Sequence, residues 1–351
     1  MDSDLQRFDD DLLLRQEEES HMKVLLFQLD GKIPNIALMR VAAHHKALGD
    51  SVEFRWGLTI NSCSPDLLDS PDRVYASAIF EKTRPVAERL LSTYPKAIIG
   101  GTGWAVESSL ESIGITTNDQ DYTIYPRWQQ SIGFTQRGCR LKCGFCVVPR
   151  KEGSVKQVQT IGELWRGRSW PRQLILLDND FFGQPEWAKR IEEIRTGGFK
   201  VSFNQGINAR FLTDETAAAI ASVDYRDDSM KVRRVYTAWD NAKDEDRLMR
   251  GLEYLKKHGV NPDHVMVYVL LGYWPWSDLA DWEYRRAKLR EFGARPYPMP
   301  FKRTPQAVGF QRWVVGAYDK RVAWPAWEAA GYEPRNLGMK ADDQGELIQA
   351  S

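Results

Sequence analysis

The chain of 351 residues has little cysteine and little histidine, four of the first and five of the second. So few thiols cannot make the disulfide framework of a small secreted domain, and a long chain with this usage reads as a reduced, cytoplasmic protein. It has no run of about 18 apolar residues, so no membrane-crossing helix is expected. A net charge of one sign is also missing, with 48 Lys plus Arg against 48 Asp plus Glu. That balance removes any overall electrostatic pull toward nucleic acid, and tight nucleic-acid binding is not indicated. The 42% of hydrophobic residues is enough for a large core and excludes global disorder.

What cysteine there is, is concentrated. Cys139, Cys143 and Cys146 lie within GFTQRGCRLKCGFCVVPRKEG, and only Cys63 is elsewhere. A C-x3-C-x2-C loop fits a four-iron, four-sulfur cluster in which three thiolates hold three irons and the fourth iron is open to a small molecule; a cluster that only carries electrons would normally recruit a fourth thiolate. A closed zinc site fits less well, because it wants four ligands, usually in two separated pairs, and no histidine is near the triplet. Gly138 and Gly144 suit a loop wrapped closely around a bulky ligand.

The rest of the chain reads as two α/β patterns. Residues 1–21 carry eight acidic residues and two arginines and are expected to be a solvated extension. From Met22, strands at 23–29, 51–55, 74–80 and 97–101 alternate with helices at 34–48 and 85–91. This predicts a doubly wound, Rossmann-like parallel sheet over residues 22–125. From Ser131 the alternation restarts, with strands at 131–135, 173–178, 200–205, 234–239, 264–271 and 294–299. Helical faces such as Ile191/Ile194 and Leu248/Leu252/Leu255 separate them. Six βα units are too few for an eight-stranded barrel, so an open, partial (β/α)6 TIM-type barrel is expected over 126–300. Residues 301–351, with Trp313, Trp324 and Trp327, are expected to form a lid across the barrel's open side and a loose tail.

The cysteine triplet, with Phe145 just before its last member, resembles the signature of the radical S-adenosylmethionine enzymes, and the order of βα units over 125–300 is similar to theirs. The resemblance implies a cluster ligated by Cys139, Cys143 and Cys146. It also implies S-adenosylmethionine as cofactor and a 5′-deoxyadenosyl radical that takes hydrogen from a small-molecule or nucleotide-type substrate. In such barrels the chemistry sits at the C-terminal ends of the strands. The resemblance accordingly implies cofactor contacts for Asp178, Asn179 and Asp180 after the second strand, where carboxylates would accept from the amino group. Asn204, Gln205 and Arg210 after the third strand, Asp240 after the fourth and Gly272 beside the adenine complete the set. Tyr273 and Trp274 are candidate wall residues. Lys142, Arg150 and Lys151 make the loop basic, suited to a flavodoxin- or ferredoxin-type reductant, with Glu152 placed to pair with a neighbour.

The first domain resembles the cobalamin-binding-like domain preceding many of these barrels, with Ile98–Gly103 as the best local match. Its first loop, Asp30-Gly31-Lys32-Ile33-Pro34-Asn35, has no histidine to ligate cobalt, which counts against cobalamin; His44 and His45 on the next helix read as one surface and one core residue. Sulfur insertion is disfavoured, since it needs a second cluster that Cys63 alone cannot hold. Hydrogen abstraction leading to isomerisation or another modification remains. Alternatives are a cobalamin-dependent or radical methyltransferase and a non-catalytic iron–sulfur or zinc protein.

Overall fold

The structure, a computed structural model, describes residues 21–57 and 70–338. The expectations for the acidic extension before residue 21, for Cys63 and for the tail after 338 lie outside the described residues. The chain divides into two compact units, Met1–Trp128 and Gln129–Ser351.

In the first unit, β1 (Lys23–Gln28), β2 (Ser51–Trp56), β3 (Arg73–Ser77) and β4 (Ile98–Gly100) form one parallel sheet in the order β2-β1-β3-β4. Helices α1 (Ile36–Ala47) and α2 (Arg84–Thr93) make the crossovers β1 to β2 and β3 to β4. The two crossovers run in opposite directions along the sheet, which puts right-handed connections on opposite faces. Burial agrees, because Leu25 and Phe27 share a core cluster with Ala87 and Leu90 of α2, while the alternate residues Val24 and Leu26 are buried outside that cluster. Asn35 caps α1 by accepting from the Leu38 amide. His45 is buried, bonded to Asp50 at 2.6 Å and to the Tyr75 hydroxyl at 3.0 Å.

The second unit begins with β5 (Ser131–Gly133), followed by a small antiparallel pair, β6 (Gln136–Arg137) and β7 (Lys156–Gln157). The cysteine loop, including the single turn α3 (Val148–Lys151), is the excursion between β6 and β7. After the short α4 (Ile161–Leu164), strands and helices alternate as β8 (Gln173–Leu176), α5 (Trp187–Thr196), β9 (Lys200–Phe203), α6 (Asp214–Ala221), β10 (Asp224–Tyr225) and β11 (Val235–Trp239). They continue as α7 (Glu245–Lys257), β12 (Val265–Leu271), α8 (Leu279–Phe292), β13 (Arg295–Pro300), α9 (Pro305–Val315) and α10 (Trp324–Ala329).

All six long-range strands anticipated from periodicity are present, and all ladders among them are parallel. They fall into two sheets, β10-β9-β8-β5 and β11-β12-β13. The cause is β10, two residues that the sequence pattern is too short to show. It takes the free side of β9 through the Lys200 and Val201 pairing. β11 then meets the chain after β9 only beyond the strand, where the Ile207 amide donates to the Tyr236 carbonyl at 2.8 Å. The far edge, β13, carries Pro296, Pro298 and Pro300, which lack the N–H that another strand would need. Gln311 of α9 instead donates to the Pro298 carbonyl at 2.8 Å.

Helix-facing residues of both sheets share one core. Leu174, Leu176, Val201, Phe203, Val235, Trp239, Val267, Val269 and Leu271 join Leu248, Leu252 and Leu255 of α7. Trp313, Trp324 and Trp327, expected in a lid, belong to this same core and stack around Phe310 and Tyr318. The segment after β13 is therefore part of the outer helical layer, because burying these indoles against α8 and β13 removes a large apolar area from water.

Gly101 has φ +99°, and a Cβ there would collide with the Ala78 backbone, whereas one at Gly100 would meet only the Ser108 hydroxyl at 3.3 Å. Gly101→Ala is expected to destabilise the protein by about 1–3 kcal/mol in urea unfolding, and Gly100→Ala by clearly less.

Candidate active site at the cysteine loop

The loop is held at its base by carboxylates from other parts of the chain. Asp178, directly after β8, is 3% exposed and accepts from the amides of Thr135 at 2.7 Å and Gln136 at 3.1 Å and from the Thr135 hydroxyl. Burial pushes its carboxyl up to about 7, against the opposing pull of those hydrogen bonds. Glu152 accepts from Arg137 at 2.8 Å, from the Gly138 amide at 2.9 Å and from Asn179 at 2.9 Å. Asp180 pairs with the Arg140 guanidinium at 2.9 Å and accepts from the Arg140 amide at 3.2 Å. Gly138 has φ +79° and lies on the Ser154 carbonyl, so the loop crosses itself where a side chain would not fit.

Asp178, Asn179 and Asp180, expected as cofactor contacts, thus appear first as the fasteners of the loop. Glu152 pairs with Arg137 across the loop's base rather than with Arg150 or Lys151 beside it. Fixing the backbone of a ligand-bearing loop through its own N–H groups is what a preorganised site requires.

Above this base the thiols sense one another. The Cys139 thiol is pushed up by burial, and the charges of Asp180, Cys143 and Cys146 add to the effect. Cys143 is likewise pushed up by burial; Arg210, which hydrogen-bonds it, pulls the other way, and Asp240 and Cys146 raise it. Asp180, Arg210 and Asp240 lie in the segments after β8, β9 and β11, so residues from beyond three strands act on Cys139 and Cys143. Arg210 is oriented by Asp244 at 2.7 Å and by Asn208 at 3.1 Å. Burial pushes the Asp240 carboxyl up, with Arg210 and Arg285 opposing.

A fourth strand end closes the ring. Gly272 after β12 has φ +70°, and its amide donates to the Ser277 hydroxyl at 3.2 Å. The next residue, Tyr273, sets its ring edge-on to Phe145 at 5.2 Å, and its hydroxyl lies where a Cβ on Gly144 would approach to 2.8 Å. Trp274 donates to the Asp240 carbonyl at 2.9 Å and stacks on the exposed Trp276. Lys142 and Arg150 are exposed on the loop.

Asn204 and Gln205 are placed differently from Arg210. Asn204 donates to Asp228 at 2.6 Å and accepts from Gln205 at 2.9 Å. Asp228, absent from the sequence-based candidates, also accepts from Ser202 at 2.6 Å. It sits in the turn after β10, where nothing in the local pattern separates it from the turn-capping Asp227.

No protein-family model matches the chain, and no curated protein matches it. Its functional reading therefore rests on the residues and their placement.

Among the described residues no group of three or more His, Cys, Asp or Glu side chains is arranged to hold a single metal ion. In a four-iron, four-sulfur cluster each of three thiolates would ligate a separate iron, so such a group would not require the three to share one ion. Two of the three thiols on this loop are pushed up, chiefly by burial, and a positively charged metal core would favour their thiolate forms. The residues therefore fit such a cluster. They do not fit a cobalt ligand in the first unit. There the loop after β1 presents Asp30, which accepts from the amides of Ile79 and Phe80 at 2.8 Å and from the Thr83 hydroxyl at 2.7 Å. Gly101 and Gly103 lie against the backbone of Ala78 and Phe80, so the glycines of Ile98–Gly103 serve the unit's own packing.

An Asp whose folded pKa is raised keeps its proton after the unfolded chain has lost it, so stability falls as pH climbs from about 4 to about 7. Replacing Asp178 by Asn is expected to remove on the order of 4 kcal/mol of that slope, seen as the difference between wild-type and variant urea midpoints across this range.

Proposed function

We propose that the protein is a radical S-adenosylmethionine enzyme. The observation that carries this reading is the approach of Asp180 to Cys139 and of Arg210 and Asp240 to Cys143, from three strand ends, on one C-x3-C-x2-C loop. A four-iron, four-sulfur cluster bound there would supply the electron that cleaves S-adenosylmethionine to a 5′-deoxyadenosyl radical, which takes hydrogen from substrate. We read the six parallel strands in consecutive order, split by β10 and ended by a proline edge, as a partial barrel of the type this chemistry uses.

The chain's own groups would divide the work. Cys139, Cys143 and Cys146 hold the metal core, and the carboxylates of Asp178, Asp180 and Glu152 keep the loop from relaxing when it is empty. The Arg210 guanidinium is preoriented by Asp244 and suits a carboxylate partner. The Asp240 carboxylate can accept from a protonated amine. Positive φ at Gly272 lets the chain turn with no side chain over the site. Tyr273, Trp274 and Phe145 restrict water at the rim. The exposed Lys142 and Arg150 suit an acidic flavodoxin- or ferredoxin-type electron donor.

Anaerobic reconstitution is expected to give about four irons and four sulfides per chain, and dithionite with S-adenosylmethionine to give 5′-deoxyadenosine. Cys143→Ala is expected to abolish cleavage while leaving the urea midpoint close to wild type. One zinc per chain and no 5′-deoxyadenosine would remove the proposal.

A further inference from the structure

On β12 and β13 the face turned away from the helices is partly reached by solvent. On β12 the helix-facing residues Val265, Val267, Val269 and Leu271 are buried, while Tyr268 and Leu270 between them retain exposure. On β13, Tyr297 and Met299 retain it too. A filled barrel would bury both alternating sets. On these two strands that face is therefore reached by solvent at Tyr268, Leu270, Tyr297 and Met299, while Met266 and, on β11, Tyr236 are buried on it.

Its chemistry is specific. Tyr236 of β11 stacks on Tyr268 of β12 with centroids 6.0 Å apart and planes within 5°. Tyr297 of β13 meets Tyr268 edge-on at 5.5 Å. The three hydroxyls make no hydrogen bond to any described residue, and burial raises all three phenols, with the charge of Asp228 adding to the effect on Tyr236 and Tyr268. Bonds from Ser202 of β9 and from Asn204 just after it hold Asp228 at this face, and its charge reaches Tyr236 and Tyr268. Its oxygens are bonded only by the neutral Ser202 hydroxyl and Asn204 amide, and among the described residues no cation pairs with it. A carboxylate half withdrawn from water, with no counter-charge among the described residues, within reach of Tyr236 and Tyr268, is complementary to one class of ligand.

We propose that this inner face is the substrate site and that it takes a primary ammonium group, with Asp228 as counter-ion and Tyr236, Tyr268 and Tyr297 as its aromatic wall. The word substrate rests on the enzymatic reading above; the cation site does not. The unengaged phenol oxygens favour an ammonium with N–H donors over a quaternary one, since donors can satisfy both the hydroxyls and the carboxylate. Asn204 and Gln205 connect this face to the strand end that also carries Arg210, which would bring the carbon next to the bound amine toward the cysteine loop.

The test is binding of n-butylamine, n-butanol and tetramethylammonium to the purified full chain at neutral pH, followed by saturation-transfer NMR titration. Wild type is expected to bind butylammonium about tenfold or more tighter than butanol and tighter than tetramethylammonium. Asp228→Asn is expected to bring amine and alcohol within about twofold of each other, and Tyr268→Ala to weaken the amine about fivefold. Equal wild-type affinities for amine and alcohol overturn the proposal whether or not a variant folds; so does a folded Asp228→Asn that still prefers the amine, or tetramethylammonium binding as tightly as butylammonium. No S-adenosylmethionine is present in this titration. Amine binding without 5′-deoxyadenosine formation would remove the radical reading and leave the cation site, and the reverse would remove only the cation site.

Discussion

Three carboxylates gripping one loop are the constraint on which the rest of the site depends. A loop carrying three thiols has every reason to spread, because burial and mutual repulsion both oppose bringing thiolates together. Asp178, Asp180 and Glu152 counter this by accepting from backbone amides at Thr135, Gln136, Gly138 and Arg140. These are charge-assisted or short buried bonds, stronger than neutral ones and sensitive to geometry. They tie the loop to the end of β8, so its position is set by the sheet rather than by the loop's own conformational preferences.

The parallel sheets then bring the remaining groups into place. Every strand in a parallel arrangement ends on the same side, so polar residues that follow β8, β9, β11 and β12 gather at one rim. Arg210, Asp240 and Tyr273 arrive there from separate sequence segments with no loop long enough to move them far. Arg285, 1% exposed on α8, reinforces the rim from behind by donating to the carbonyls of Trp239 and Leu270. A buried guanidinium that bridges the ends of two strands is costly to desolvate, and it leaves those strand ends little freedom.

The same topology leaves the face of β12 and β13 opposite the helices partly exposed. Two residues of β10 occupy the side of β9 that β11 would otherwise take, and prolines end the sheet at β13. Tyr236, Tyr268 and Tyr297 pack against one another on the strand face opposite the helices. On the proposed reading, binding of substrate and chemistry would use different residues.

Much of this was determined by the sequence alone. Apolar runs of strand length separated by helical faces give the order of the longer parallel strands, though not the two-residue β10. The spacing of Cys139, Cys143 and Cys146 identifies the loop, and polar residues at strand ends mark the rim. Those signals are local, since each depends on periodicity or spacing within a few residues. Which rim residue faces which neighbour was decided only by the tertiary structure. Asp178, Asn179 and Asp180 turn to fasten the loop, Asn204 and Gln205 turn to Asp228, and Arg210 and Asp240 turn to Cys143, although all stand at strand ends and look alike in sequence. The placement of Trp313 and Trp327 in the core and the wedge at β10 were decided at the same level. The reason is physical: a side chain's direction past the last paired residue is set by the path of the following loop and by partners far away in the chain, and neither leaves a trace in local pattern.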